Sequence, residues 1–528
     1  MTNTIACVEE ADVILITGSN TTENHPVISA GVKRAVSSGR ARLIVVDPRR
    51  IKIAEFADCY LRPNLGTDVA WINGMLNVII SENLQDAAFV AERTEAFEEM
   101  KALVAKYTPD YVESITGIPA AQLIEAARLY AKAKVGNIIY CMGITQHTCG
   151  TDNVKSLANL AMLCGNLGMR GGGVNPLRGQ NNVQGACDMG GLPNVFTAYQ
   201  PVTNEDTSQK MAAAWGVAHL STSVGMKATD MIPAAHDGRL KALYVIGENP
   251  LVSDPDLNHA EDSLAHLDLL VVQDLFLTET ARKADVVLPS RCFAEKDGTF
   301  SNTERRVQRV RKAVDAPGEA WDDWKIVTAI AERMGYAMTY ADSEAIFEEI
   351  RQVTPSYAGI TYDRIDKEGL HWPCLNEEHP GTPVLHSLQF TRGKGRFHAI
   401  EWQPPVEVPD QEYPLYLTTG RILYHYHTGT MTMRSEDLME RAPESFVEMT
   451  PQDAAAHGLA DGGRVSIASR RGAIEARVKV SRKAVAGTVF IPFHFAQGAA
   501  NKLTNAALDP VSGIPEYKVC AVKLTPAP

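Results

Sequence analysis

The sequence predicts an α/β protein of two doubly wound α/β domains and a C-terminal β-barrel-like domain, and three observations predict it. A chain of 528 residues exceeds what one hydrophobic core organises, so three or four domains are expected. Apolar runs of strand length alternate with helical stretches in two regions and end in polar loops, the grammar of parallel βαβ units. Past a proline-bearing stretch the texture changes to short β-like runs beside glycines.

The first region opens with a short helix expected over Thr4 to Glu10. A strand follows from Asp12 to Thr17 and ends in Gly18-Ser19-Asn20; a helix begins after His25-Pro26. A second strand, Ala41 to Val46, ends in Asp47-Pro48-Arg49. Apolar residues at helical spacing predict helices over Asp68 to Glu82 and Asp86 to Ala105. Val135 to Cys141 returns as a strand, and Asn153 to Gly165 as a helix stopped by glycine. The stretch MRGGGVNPLRGQNNVQGACDMGG, residues 169–191, is expected to be nearly unstructured. From about 235 the βα pattern resumes with strands at Leu243, Leu269 and Asp285. Residues 415–418, 464–469, 474–480 and 487–491 are the β-like runs of the last region. The expected domains are 1–176 and 177–388 (α/β), 389–412 (linker) and 413–528 (barrel-like).

Composition narrows the function. Lys and Arg total 51 against 63 Asp and Glu, a net charge of −12, which excludes a general nucleic-acid binder. No apolar run approaches the roughly 18 residues of a membrane span. The polar, acidic opening does not read as a signal peptide, so a cytoplasmic location, or transport borrowed from another component, is expected. The nine cysteines are scattered and form no CxxC or CxxxC pair, which argues against an iron–sulfur or structural zinc site within the chain.

The loops after the strands are the candidate ligand sites. Asp47, Asp68 and Asp274 follow apolar runs, where an acidic residue holds ribose hydroxyls or a base edge, or else caps a turn or helix. There is no GxGxxG and no GxxxxGK[ST], so a nucleotide-like ligand of another kind is indicated. Arg178 reads either as a partner of a surface carboxylate or as a fixed cation beside an anionic substrate. His425 and His427 would share a strand face but lack an acidic or thiol ligand nearby, so no metal site is assigned to them. The loops 501–505 and 515–518 are either ligand caps or surface turns.

Specific segments carry a family resemblance: ITGSNTTENHP, VVDPRR, NLGTDVA, MGITQHTCG, VIGENPLVSDPD, EKDGTFSNTERRVQ and above all NPLRGQNNVQGACDMG. The chain resembles the molybdopterin oxidoreductases of the dimethyl-sulfoxide-reductase superfamily, and within them formate dehydrogenase catalytic subunits. The resemblance implies a bis-molybdopterin guanine dinucleotide cofactor holding molybdenum or tungsten between two α/β domains closed by the barrel. By resemblance, Asn20, Glu23, Asp47, Arg49, Gly66 and Asp68 serve one dinucleotide, with Met142 and Gln146 near it. Gly179, Gly185, Gly247, Glu248, Gln273, Asp274 and Thr278 belong to the other half, and Arg421, His425, Asn505, Tyr517 and Lys518 to the barrel domain. Arg178 matches the family arginine that orients formate, the expected catalytic residue.

The resemblance also implies parts not found in this sequence: an amino-terminal [4Fe–4S] segment and a selenocysteine or cysteine metal ligand followed by histidine. None of the nine cysteines precedes a histidine directly. The fold is thus expected to be amino-terminally incomplete, with the missing segment supplied by a selenocysteine-containing parent chain or by a separate subunit. Formate and carbon dioxide are the expected reactants, electron-transfer subunits the expected partners, and the chain alone is expected to be inactive with apolar sheet surface exposed. A non-catalytic cofactor-binding or scaffold homologue, and a reductase of another oxyanion, are the alternatives.

Overall fold

Val13–Thr17 (β1) is buried at every position and apolar up to Ile16, the requirement of a central strand covered on both faces. It pairs in parallel with Arg42–Val46 (β2) on one side. Cys59–Leu61 (β3) extends the sheet beyond β2. Thr94–Glu95 (β4) stands apart. Gly136–Tyr140 (β5) pairs with the other side of β1, and Gly173–Pro176 (β6) follows it. The order β3-β2-β1-β5-β6 reverses direction between β1 and β5, where loops part and open a crevice at the strands' carboxyl ends.

The computed structural model describes residues 1–527, and the chain divides into two units. Met1–Leu177, Val252–His259 and the chain from Val384 form the first; Arg178–Leu251 and Ala260–Pro383 form the second. In the second unit, Ala242–Ile246 (β7), Leu269–Asp274 (β8) and Val286–Pro289 (β9) make a parallel sheet. Gly298–Ser301 (β10), Arg306–Val310 (β11) and Leu370–His371 (β12) make an antiparallel one. Tyr244, Ile246, Leu269, Val286 and Val287 on the parallel sheet are all more than 36% exposed, as the expectation of uncovered apolar sheet surface requires.

Back in the first unit, Gly395–Arg396 (β13) pairs with β4. A closed six-stranded barrel follows: Leu415–Gly420 (β14), Phe446–Met449 (β15), Arg464–Ala468 (β16), Ala473–Val480 (β17), Thr488–Pro492 (β18) and Cys520–Pro526 (β19). Strand β17 shows why it closes: Ile474, Ala476 and Val478 point inward, alternating with exposed Ala473, Glu475, Arg477 and Lys479.

Four expectations differ from the structure. Residues 86–105 are not one helical stretch but two helices, Ala87–Arg93 and Phe97–Val104, parted by β4. Pairing with β13, some 300 residues on, overrides the local helical pattern. The 389–412 segment is no free linker: Phe390 and Phe397 are buried in the first sheet's core, and Trp402 Nε1 donates to Gly66 O at 2.9 Å. Residues 169–191 include β6 and a short helix, Val183–Asp188. Residues 252–259 join the first unit, where Asn501 Nδ2 donates to Ser253 O at 2.8 Å. No helix among the described residues is long and apolar enough to cross a membrane.

A candidate cofactor cleft

A cleft of about 850 Å³, its mouth included, opens in the first unit where strands β1, β2 and β5 end. Its floor and sides are Gly18, Ser19 and Asn20 after β1, Asp47 to Arg49 after β2, Asn64 to Gly66 and Asp68, and Cys141 to Gly143 with His147 after β5. The barrel supplies Thr418 to Arg421, Phe490, Phe493 and Lys518. Two glycines let the β1 and β5 loops touch. Gly18 has φ +55°, and a Cβ there would sit 2.7 Å from Gly143 C; a Cβ on Gly143 would sit 2.5 Å from Gly18 Cα. Gly143 N instead donates to Gly18 O at 3.0 Å.

The cleft is rich in buried charge. Arg49 donates to Glu448 Oε1 at 2.8 Å and stacks over the Phe490 ring at 3.5 Å. Arg421 Nη2 donates to Cys141 Sγ at 3.2 Å, and Lys518 Nζ to Thr419 O at 2.7 Å. Burial pushes the Lys518 ammonium down to about 7, with Arg421 adding to the effect. Burial pushes the Asp47 carboxyl up to about 6, against the Arg49 amide at 2.9 Å and the Arg49, Lys518 and Arg62 charges. Asp68 goes up to about 7, also through burial, although Trp71 Nε1 donates to it at 3.2 Å. His147 lies 3.9 Å from Asp68 and 4.0 Å from Glu516. Burial lowers it to about 4, so at neutral pH the ring is uncharged and neither contact is an ion pair.

His494 fixes the loop that carries Arg421. Its Nε2 accepts from Ile422 N at 3.0 Å, so Nδ1 carries the proton and donates to His427 O. Burial lowers its pKa to about 3, which keeps this neutral tautomer.

The matching family models are the molybdopterin oxidoreductase over residues 1–333 and the molydopterin dinucleotide binding domain over residues 415–521. The chain is 52% identical over 528 residues to the F420-dependent formate dehydrogenase subunit alpha of Methanocaldococcus jannaschii, covering 99% of this chain and 78% of that one. It is 40% identical to formate dehydrogenase H of Escherichia coli, covering 100% and 74%. The chain belongs to the molybdopterin oxidoreductase family. The acetylene hydratase structure from Pelobacter acetylenicus shares its fold, with TM-score 0.80 and 21% identity over 99% of this chain and 79% of that one.

The residues of the cleft fit the cofactor of molybdopterin oxidoreductases. A dinucleotide brings a pyrophosphate, hydroxyls and hydrogen-bonding ring edges. Arg49, Arg421 and Lys518 offer cations to the first. Ser19 Oγ, Asn20 Oδ1, Arg49 Nε and His147 Nδ1 are buried without a hydrogen-bond partner. Such atoms cost about 1–3 kcal/mol each, which a polar ligand relieves.

Of the sequence candidates in this molybdopterin oxidoreductase, Asn20, Asp47, Arg49, Gly66, Asp68, Met142, Arg421 and Lys518 line the cleft. Glu23 lines a neighbouring cavity, 4.0 Å from Lys483. Gln146 lies outside the lining, just past the short helix Met142–Thr145. His425 is held by Ala442 O at 2.7 Å and Thr432 Oγ1 at 3.2 Å. Asn505 Nδ2 donates to Val519 O at 3.0 Å, and Tyr517 OH to Ser253 O at 2.9 Å, so both brace the barrel loops.

The other candidates sit in the second unit. Gly247 and Glu248 follow β7; Gln273 and Asp274 end β8, and Gly247 N donates to Gln273 O at 2.9 Å. Asp274 Oδ1 accepts from Leu275 N at 2.6 Å, and Thr278 Oγ1 accepts from Ala281 N at 3.2 Å, both turn and cap bonds. Arg178 N donates to Thr303 Oγ1 at 3.1 Å and its guanidinium to Cys187 Sγ at 3.9 Å. Gly179 follows Arg178, and Gly185 lies in the helix Val183–Asp188, with no room for a Cβ beside Asn182 Oδ1. Sequence reasoning missed Ser19, Cys141, His147, Thr418, Thr419, Phe490 and Phe493 as lining residues. Ser19 lay within the strand-end loop 18–20 and His147 within the motif MGITQHTCG, Cys141 directly follows β5, and Thr418, Thr419, Phe490 and Phe493 lie in or directly after barrel strands.

Proposed function

We propose that the cleft binds one guanine dinucleotide of a bis-molybdopterin guanine dinucleotide cofactor holding molybdenum or tungsten, and that the chain interconverts formate and carbon dioxide. The reading rests on one observation above all: unpaired buried polar atoms and three cations gathered where β1, β2 and β5 end and the barrel closes. The name of the 52% identical relative supports the substrate.

In this reading Arg49, Arg421 and Lys518 neutralise the pyrophosphate, and Asp47 and Asp68 accept hydrogen bonds from ring or ribose groups. The strand-end loops at Gly247–Glu248 and Gln273–Thr278 serve the second dinucleotide. Formate loses two electrons and one proton to become carbon dioxide. When bound, the metal and its dithiolene ligands accept the electrons. Arg178 orients the formate carboxylate and excludes misaligned binding through two parallel hydrogen bonds. An iron–sulfur cluster and a cysteine or selenocysteine ligand are assigned to a segment or subunit beyond these residues, with electron-transfer subunits as partners. A cytoplasmic location is part of the same reading.

The test is formate-dependent reduction of a viologen dye by the cofactor-loaded, fully assembled enzyme. A charge-assisted hydrogen bond contributes about 1.5–3 kcal/mol, so Arg178→Lys is expected to raise the KM for formate roughly tenfold or more at unchanged molybdenum content. Unchanged formate kinetics would remove Arg178 from the substrate site.

A further inference from the structure

The second unit gathers three metal-ligating side chains on its surface. His236 is the last residue of the helix Ala228–His236. Asp262 lies in the helix Leu257–Leu264, and His266 follows one turn later. One ligand atom of each lies within 4.8 Å of those of the other two. His236 Nδ1 and Asp262 Oδ2 are 3.2 Å apart. Ligands about 2.0–2.1 Å from a tetrahedral ion stand about 3.3 Å from one another, so this edge is already at coordination length.

The second imidazole is held in place independently. His266 Nδ1 lies 2.8 Å from the Asp262 carbonyl oxygen. A carbonyl only accepts, so Nδ1 carries the proton and Nε2 keeps its lone pair. A hydrogen bond from the other ring nitrogen to a carbonyl is how metal-binding histidines are commonly oriented. The two rings lie 5.0 Å apart.

We propose that His236, Asp262 and His266 bind a divalent transition-metal ion of the zinc class, separate from the cofactor. Two imidazoles and one carboxylate suit zinc, nickel or copper. Three protein ligands leave a position for water. The ion ties together two helices that share the small core of Ile232, Ala260 and Leu264, so it stabilises this unit and exchanges readily from an exposed site.

The experiment uses the full chain after chelator treatment. Zinc is titrated calorimetrically, and cobalt is added as a spectroscopic probe. A cobalt spectrum without thiolate charge transfer is expected, because no cysteine belongs to the site. His236→Ala and His266→Ala are each expected to weaken that site about tenfold or more and to abolish the zinc-induced rise in Tm. The side chains are exposed, so circular dichroism should match the parent. Unchanged zinc affinity in both variants, absence of zinc binding to the parent, or cobalt bound solely through thiolate would overturn the assignment.

Discussion

Asp68 and Lys518 carry the sharpest residue-scale consequence, because each is pushed to about 7 from opposite directions by burial. For Asp68 the folded chain keeps a proton that the unfolded chain releases above about pH 4. Its contribution to stability therefore falls as pH rises, and the cost of burial is complete above about pH 7. Lys518 behaves oppositely: the cost is complete below about pH 7 and is relieved as pH rises toward 10.5. A shift of about three units corresponds to on the order of 4 kcal/mol. Asp68→Asn should thus match the parent near pH 4 and be more stable by on the order of 2 kcal/mol or more near pH 8, in the cofactor-free chain by urea unfolding. An equal difference at both pH values would show that ionisation is not the cause. Asp47 was legible because an acidic residue directly after a strand is a local pattern, and Arg49 because the segment VVDPRR carries the family resemblance; Asp68 proves to open the helix Asp68–Ser81 and not to end a strand. His147 was not, because its isolation depends on walls contributed by distant residues.

At the scale of elements, the close approach of Gly18 and Gly143 joins the loops after β1 and β5 at the cleft. Gly18→Ala places a Cβ 2.7 Å from the backbone of Gly143 at a φ of +55°. Strain at positive φ alone costs about 1 kcal/mol; the clash adds to it and parts the two loops. Gly39→Ala is the control, since Gly39 has φ +76° but nothing within 4 Å. The expected outcome is a larger loss of stability for Gly18→Ala in denaturant, together with reduced cofactor retention. Equal losses would mean that the two loops do not depend on this approach. Strands β1, β2 and β5 were readable as apolar runs. Strands β4 and β13 were not, since two-residue strands are created by their partner and leave no periodicity of their own.

For the whole molecule, the exposed apolar residues of the β7–β8–β9 sheet matter most. Ile246 is 48% and Val286 43% exposed on strands that parallel sheets normally bury. The isolated chain is expected to self-associate as concentration rises, measured by light scattering, and Ile246→Lys with Val287→Lys should reduce this. A monodisperse parent across the concentration range would contradict it.

What the sequence determined alone was the alternation of strand and helix, the closing β region, and the motif NPLRGQNNVQGACDMG with its family. These are encoded in residues near one another, so pattern suffices. Only the tertiary structure decided that Phe390, Phe397 and Trp402 fasten the expected linker to the first core. It also decided that Lys518 meets Arg421 and Asp47 in one cleft, and that His425 is occupied by its neighbours. Those facts depend on burial and on pairings hundreds of residues apart, where free energy is set by which surfaces lose water together rather than by any local spacing.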